Sequence, residues 1–223
     1  MVKEDKEINS KQESQIKWAV VLMVGLLVIV LAVPFISENF INSFDYGGLN
    51  FQKTQLGDLI FYSTKFPVVS LTGNVIGDYA VNLRKDPRDL DNVLINISDD
   101  MIKFSTDGKN YGPAYISLNP FMEMCGDNGI AVMELAGFLR DSGLQVNSAV
   151  TDKAYARDNN LTHRWCDSAG FDTVIVVSDG EENAITEIDN HCYKIEFKDC
   201  EVLESVERFI LIILGEYAGR FDG

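Results

Sequence analysis

From Trp18 to Ser37 the chain reads WAVVLMVGLLVIVLAVPFIS, twenty residues without a charged side chain. A helix of that length matches the hydrocarbon core of a bilayer, about 30 Å, and satisfies its backbone N–H and C=O groups internally. A core helix this long would show a polar stripe on one side, and none is present. A cleaved leader would have an apolar stretch of roughly 7 to 15 residues ending at a small-x-small site; this run continues through Val33, Pro34, Phe35 and Ile36. The expectation is a retained transmembrane helix over residues 18–37, in contact with the lipid bilayer. Pro34 falls in its last turn, where freed carbonyls meet the wet interface.

Lysine placement orients that helix. Lys3, Lys6, Lys11 and Lys17 precede it, and the first basic residue after it is Lys53, so the positive-inside rule puts the N-terminus in the cytoplasm. The expected organisation is a disordered cytoplasmic tail over residues 1–17, the span, a stalk over residues 38–50 and an extracytoplasmic domain over residues 51–223. Within the tail four lysines balance Glu4, Asp5, Glu7 and Glu13, so the formal charge of −15 belongs to the part beyond the span. A surface that acidic repels phosphate backbones and anionic headgroups alike, which argues against nucleic acid as a partner.

The cysteines Cys125, Cys166, Cys192 and Cys200 all follow the span. An even count in an oxidising compartment reads as two disulfides, with three possible pairings; Cys125 with Cys166 and Cys192 with Cys200 is the favoured one. Asn96-Ile97-Ser98 and Asn160-Leu161-Thr162 are glycosylation acceptors, which have meaning only on an exported domain.

The text after residue 50 changes period midway. FQKTQ, LIFYSTKF, DYAVNLR and VLINI read as an antiparallel meander interrupted by the breakers LGD and KDPRDLDN. Then AYISL, the helical stripe of IAVMELAGFLRDSG and the strand LQVNSAVT form a βαβ unit, with Asp127 or Asn128 at the helix start and Gly143 at its end. A short helix at DKAYARDNN, a buried strand TVIVV, the strands AITEI and CYKIEF, and an amphipathic closing helix EVLESVERFILIILGEYAGRF complete the chain. The fold class is α/β or α+β: one mixed-sheet domain behind an N-terminal transmembrane helix, with an antiparallel N-terminal meander and a βαβ-like C-terminal half.

Candidate chemistry centres on Cys125, which precedes a helix N-terminus whose dipole favours thiolate. Paired with His163 or His191 it would give a thiol hydrolase. His163, Cys166, His191 and Cys192 are a possible but unconventional zinc set, because adjacent residues on a strand face opposite ways. The acidic clusters lack EF-hand spacing, no phosphate-binding glycine loop is present, and Tyr111, Tyr115, Phe121 and Trp165 are candidates for a groove. No cofactor is implied.

LNPFMEMCGDNG and CYKIEFKDCEVLE resemble segments of uncharacterised single-span membrane proteins of archaea, a resemblance that implies no activity. The reading that fits these features is a single-pass protein of the cell membrane whose outer domain binds a macromolecule or small ligand, with a protein partner at the cell surface as one possibility. Its alternatives are a thiol- or metal-dependent hydrolase and an assembly subunit of an envelope complex.

Overall fold

The computed structural model describes residues 17–31, 42–69, 75–98, 101–168 and 170–221. The chain divides into two compact units, Met1–Phe44 and Asp45–Gly223. In the first, residues 17–31 form helix α1, and its side chains are exposed throughout. At 1.5 Å per residue these residues rise about 22 Å, short of the hydrocarbon thickness. Among the described residues no helix is long and apolar enough to cross a membrane. The span expected over residues 18–37 is therefore not supported by the described part of α1, and residues 32–37 lie outside the described residues.

Folded sequence begins earlier than expected, inside the segment read as a stalk. Strand β1 (Ser43–Tyr46) is joined to β2 (Leu49–Leu56) by Gly47-Gly48. Both glycines have positive φ, 57° and 76°, the conformation a two-residue hairpin turn requires. Strands β3 (Leu59–Val69) and β4 (Val75–Leu83) continue an antiparallel sheet of order β1-β2-β3-β4. Its inward residues alternate as the pleat demands: Leu49 and Phe51, then Tyr62, Thr64 and Phe66, then Val81 and Leu83 are buried.

VLINI does not join this meander. Asp86 caps a 3₁₀ turn, Pro87–Asn92, by accepting the Arg88 N–H. Beyond it β5 (Leu94–Asn96) runs parallel to β9 (Ala184–Asp189) in a second sheet. That sheet has the order β5-β9-β10-β8-β6-β7. It also contains β6 (Ala114–Leu118), β7 (Val146–Val150), β8 (Thr173–Asp179) and β10 (Cys192–Phe197). The expected βαβ unit is present as β6, α2 (Asn128–Asp141) and parallel β7. After α3 (Lys153–Asp158) the chain passes β6 to add β8 on its other side. Val174, Ile175, Val176 and Val177 of β8 are fully buried, as a strand covered on both faces must be.

The closing helix α4 (Val202–Phe221) packs on α2 and on β10, and also touches β2 and β3. Helix α2 meets β7 on one side and, through the Phe138 ring against Phe66, β3 on the other. The two helices thus form a layer between the sheets. Helix α4 is amphipathic as its spacing predicts: Val202, Leu203, Val206, Phe209, Ile210, Ile213 and Leu214 are buried, while Glu204, Arg208, Ile212 and Glu216 form a partly exposed stripe, and Ser205 and Glu207 fall on the buried side.

All four cysteines are bridged, in a pairing other than the favoured one: Cys125 with Cys200 and Cys166 with Cys192. Cys192 opens β10 and Cys200 lies beyond its far end. Six strand residues advance the chain about 20 Å, whereas bridged Cα atoms must be within about 7 Å. The bonds instead tie neighbouring connections at each end of the parallel strands.

Candidate functional site

The residues singled out for chemistry from the sequence do not converge. Cys125 is bonded to Cys200, so no thiol is available there. The His163 ring faces the Thr151 carbonyl at 3.1 Å, and the His191 ring faces the Lys103 carbonyl at 3.1 Å. Cys166 and Cys192 are bonded to each other and packed with Trp165 against Val174 and Val176. Among the described residues the one grouping of metal-ligating side chains is Glu123 with Cys125 and Cys200, and both of its sulfurs are spent in a disulfide. The aromatic candidates scatter: Tyr111 meets Phe104, Tyr115 lies under the Arg164 guanidinium, and Phe121 stands against Tyr155. Asn96 and Asn160 are both exposed, Asn160 in a turn at φ 54°. Of the acidic residues, Asp86 caps the 3₁₀ turn, Asp107 accepts the Lys109 and Asn110 N–H groups, and Asp179 accepts from Asn119. Asp99 and Asp100 lie outside the described residues.

The structure instead brings together two carboxyl groups in the helix layer. Glu207, on α4, is completely buried. Its Oε1 accepts the Arg84 N–H at 2.6 Å and its Oε2 the Lys85 N–H at 2.9 Å. These are the first two residues past the end of β4, where the sheet no longer supplies acceptors, so the carboxylate takes the place of a missing strand. Glu134, on α2, accepts a hydrogen bond from the Glu207 carboxyl, and its Oε1 is buried.

Two carboxyls in contact away from water cannot both ionise cheaply. Burial pushes Glu134 up to about 7 and Glu207 up to about 9, the Glu134 charge adding to the rise at Glu207. The two backbone N–H bonds oppose that rise at Glu207, and the Arg84 charge opposes it at Glu134. Both shifts are upward, and the protons come off the pair rather than off either residue alone. Near neutral pH the pair holds a proton between its members. Lys85 is held by Glu204 at 2.6 Å, and the Arg84 guanidinium lies 5.9 Å from the Phe61 ring.

Glu134 also lines a pocket of about 170 Å³ between β3, β4 and α2. Phe66, Tyr79 and Phe138 supply aromatic walls, with ring centroids 6.4 Å apart for Phe66–Tyr79 and 5.7 Å for Phe66–Phe138. Val81, Asn82, Met133, Gly137 and Asp141 complete the lining. A Cβ on Gly137 would meet nothing within 4 Å, so the missing side chain leaves open space on the helix surface. A small pocket with aromatic walls and a few convergent polar groups, here Asn82, Glu134 and Asp141, is the usual form of a ligand site, and a carboxyl with a raised pKa beside it is the usual form of a functional one.

A wider groove of about 680 Å³ runs along α4 past Tyr46, Met101, Leu211, Ile212 and Glu216. Its arginine is already engaged: Arg208 Nη1 donates to the Tyr46 hydroxyl at 2.7 Å and pairs with Asp91 at 2.9 Å, and the Tyr46 O–H donates to the same Asp91 oxygen. Its charges therefore largely neutralise one another, and the carboxyl pair with its pocket is the stronger candidate.

Sequence reasoning passed over Glu134 and Glu207, although a signal was there. Glu134 lies four residues from both Ile130 and Phe138, and Glu207 lies between Leu203 and Ile210, so each sits on its helix's apolar stripe. A carboxylate at such a position is either exposed by a break in packing or buried with partners. Comparison of the chain with protein-family models, with curated proteins and with solved structures finds no match.

Proposed function

We propose that this chain is a single-pass protein of the cell membrane, with its N-terminal tail in the cytoplasm and a disulfide-braced domain outside that binds another molecule. The observation that carries the reading is the use of all four cysteines in two disulfides, because such bonds persist in oxidising compartments and are rare in the cytosol. The uncharged run at residues 18–37 and the lysines before it supply an anchor and an orientation. The occupied sulfur of Cys125 speaks against the thiol hydrolase, which needs that atom free as a thiolate. The carboxyl-lined pocket gives binding a place.

The test is made on the full chain in its host membrane. Alkylation with a membrane-impermeant maleimide, with and without reductant, should label nothing before reduction and all four cysteines after it, and external protease should digest the domain of intact cells. Recovery of the chain in the aqueous fraction with reactive thiols before reduction would overturn the reading.

A further inference from the structure

Resting on the binding-domain reading, we propose that the pocket between β3, β4 and α2 is a binding site for a small organic ammonium ion with an apolar body. Its volume, about 170 Å³, is near the about 150 Å³ at which a protein cavity accepts a benzene ring. Three features select the ligand class. The rings of Phe66, Tyr79 and Phe138 line it, and aromatic faces attract both hydrocarbon and cations. Glu134 lines the pocket from α2, and its carboxyl offers an incoming ammonium N–H a charge-assisted acceptor. Asp141 lines the same pocket and gives it a negative sign, which disfavours anions. A neutral molecule of the same shape would gain the apolar contacts and forgo the charge.

The charged groups around Glu134 are consistent with this sign. Glu207 faces it from α4 and shares its proton, and Asp141 follows it on α2. The cations nearby come from the end of β4: Arg84 acts on Glu134 from beside the Phe61 ring, and Lys85 is bound to Glu204. An ammonium ion in the pocket favours the ionised carboxyl, so binding expels a proton from the pair. Affinity should therefore rise from about pH 6 to about pH 8, as the carboxyls lose the proton that competes with the ligand.

The experiment titrates the full chain, in detergent micelles, with benzylammonium, benzyl alcohol and benzoate by calorimetry. Benzylammonium should bind at least about tenfold more tightly than either of the others, the scale of one charge-assisted hydrogen bond. Glu134→Gln should erase that preference, and Tyr79→Ala should weaken the ammonium and the alcohol alike, with thermal melting showing that each variant is folded. Should Glu134→Gln not fold, the wild type decides: titration in two buffers of different ionisation enthalpy reads proton release, which the proposal requires near pH 7. Equal binding of the alcohol, a preference that survives Glu134→Gln in a folded protein, or no proton release would overturn it. Location is read separately by the maleimide experiment, so an exported domain without ammonium preference sinks only the ligand, and a selective pocket on a cytosolic chain sinks only the location.

Discussion

The two sheets are held in place by different means. The mixed sheet is saturated: its central strand β8 is almost wholly buried, β10 buries Cys192, Tyr193, Ile195 and Phe197, and two covalent bonds tie the connections at its ends. The antiparallel sheet has no covalent tie among the described residues. Its β2–β3 hairpin exposes Leu56, Leu59 and Ile60, and its inner part rests on the helix layer through buried residues such as Phe51, Leu83 and Phe66, the last on Phe138, and through Glu207 on the Arg84 and Lys85 amides. A region fixed by continuous burial and cross-links tolerates the loss of any one contact. A region whose outer hairpin is exposed leans more heavily on each of its inner contacts, and local opening concentrates where buried apolar contacts are few. It is notable physically that the pocket lies on this second, less constrained side.

The comparison can be broken first at the cross-links. Replacing Cys125 and Cys200 by alanine frees a loop of 75 residues and should lower the unfolding free energy by about 4 kcal/mol in the chain-entropy account. Urea unfolding of the variant against the oxidised wild type measures it. If amide exchange in β1–β4 accelerates more than in the mixed sheet, the assignment of these bonds to the mixed sheet's stability is wrong.

The carboxylate hook comes next. Glu207→Ala leaves the Arg84 and Lys85 amides and Glu134 without their partner, and should cost about 3 kcal/mol, the scale of breaking a buried polar network. Amide exchange read residue by residue should show the loss concentrated at β3 and β4, with β8 and β10 still protected. Uniform loss across both sheets would contradict the division drawn above.

The smallest effect is a slope. A carboxyl raised in the folded state contributes stability that is fully present below its unfolded value, about 4.5, and is lost as pH rises through the folded one. Stability should therefore decline between about pH 5 and about pH 9, and Glu134→Gln should flatten that decline. Asp86 and Asp107 are held below the usual carboxylate range by hydrogen bonds from Arg88 and from the Asn110 and Lys109 amides, so they act the opposite way and only at lower pH. Unfolding curves of wild type and variant across the window separate the two contributions.

Much of the local structure was legible. AYISL, TVIVV and CYKIEF appear as the strands β6, β8 and β10, and the helical stripe after Cys125 appears as α2. Period and composition report whether a segment is half-buried or wholly buried, and these segments were either one or the other. VLINI joins the mixed sheet and not the meander, a difference its sequence cannot show because its alternation specifies a strand and not a neighbour. The candidate site was the least legible part: neither glutamate belongs to a motif, and their meaning depends on α2 and α4 lying side by side.

By itself the sequence determined the uncharged run at residues 18–37, the cysteine count, the acidic balance and the change from antiparallel to βαβ patterning, all of which are properties of composition and short-range period. The tertiary structure alone decided which cysteines meet, which sheet receives β5, and that two carboxyls 73 residues apart in the chain share a proton beneath β4. Those outcomes depend on distances between segments remote in the chain, and such distances are set by packing, which no local pattern of residues contains.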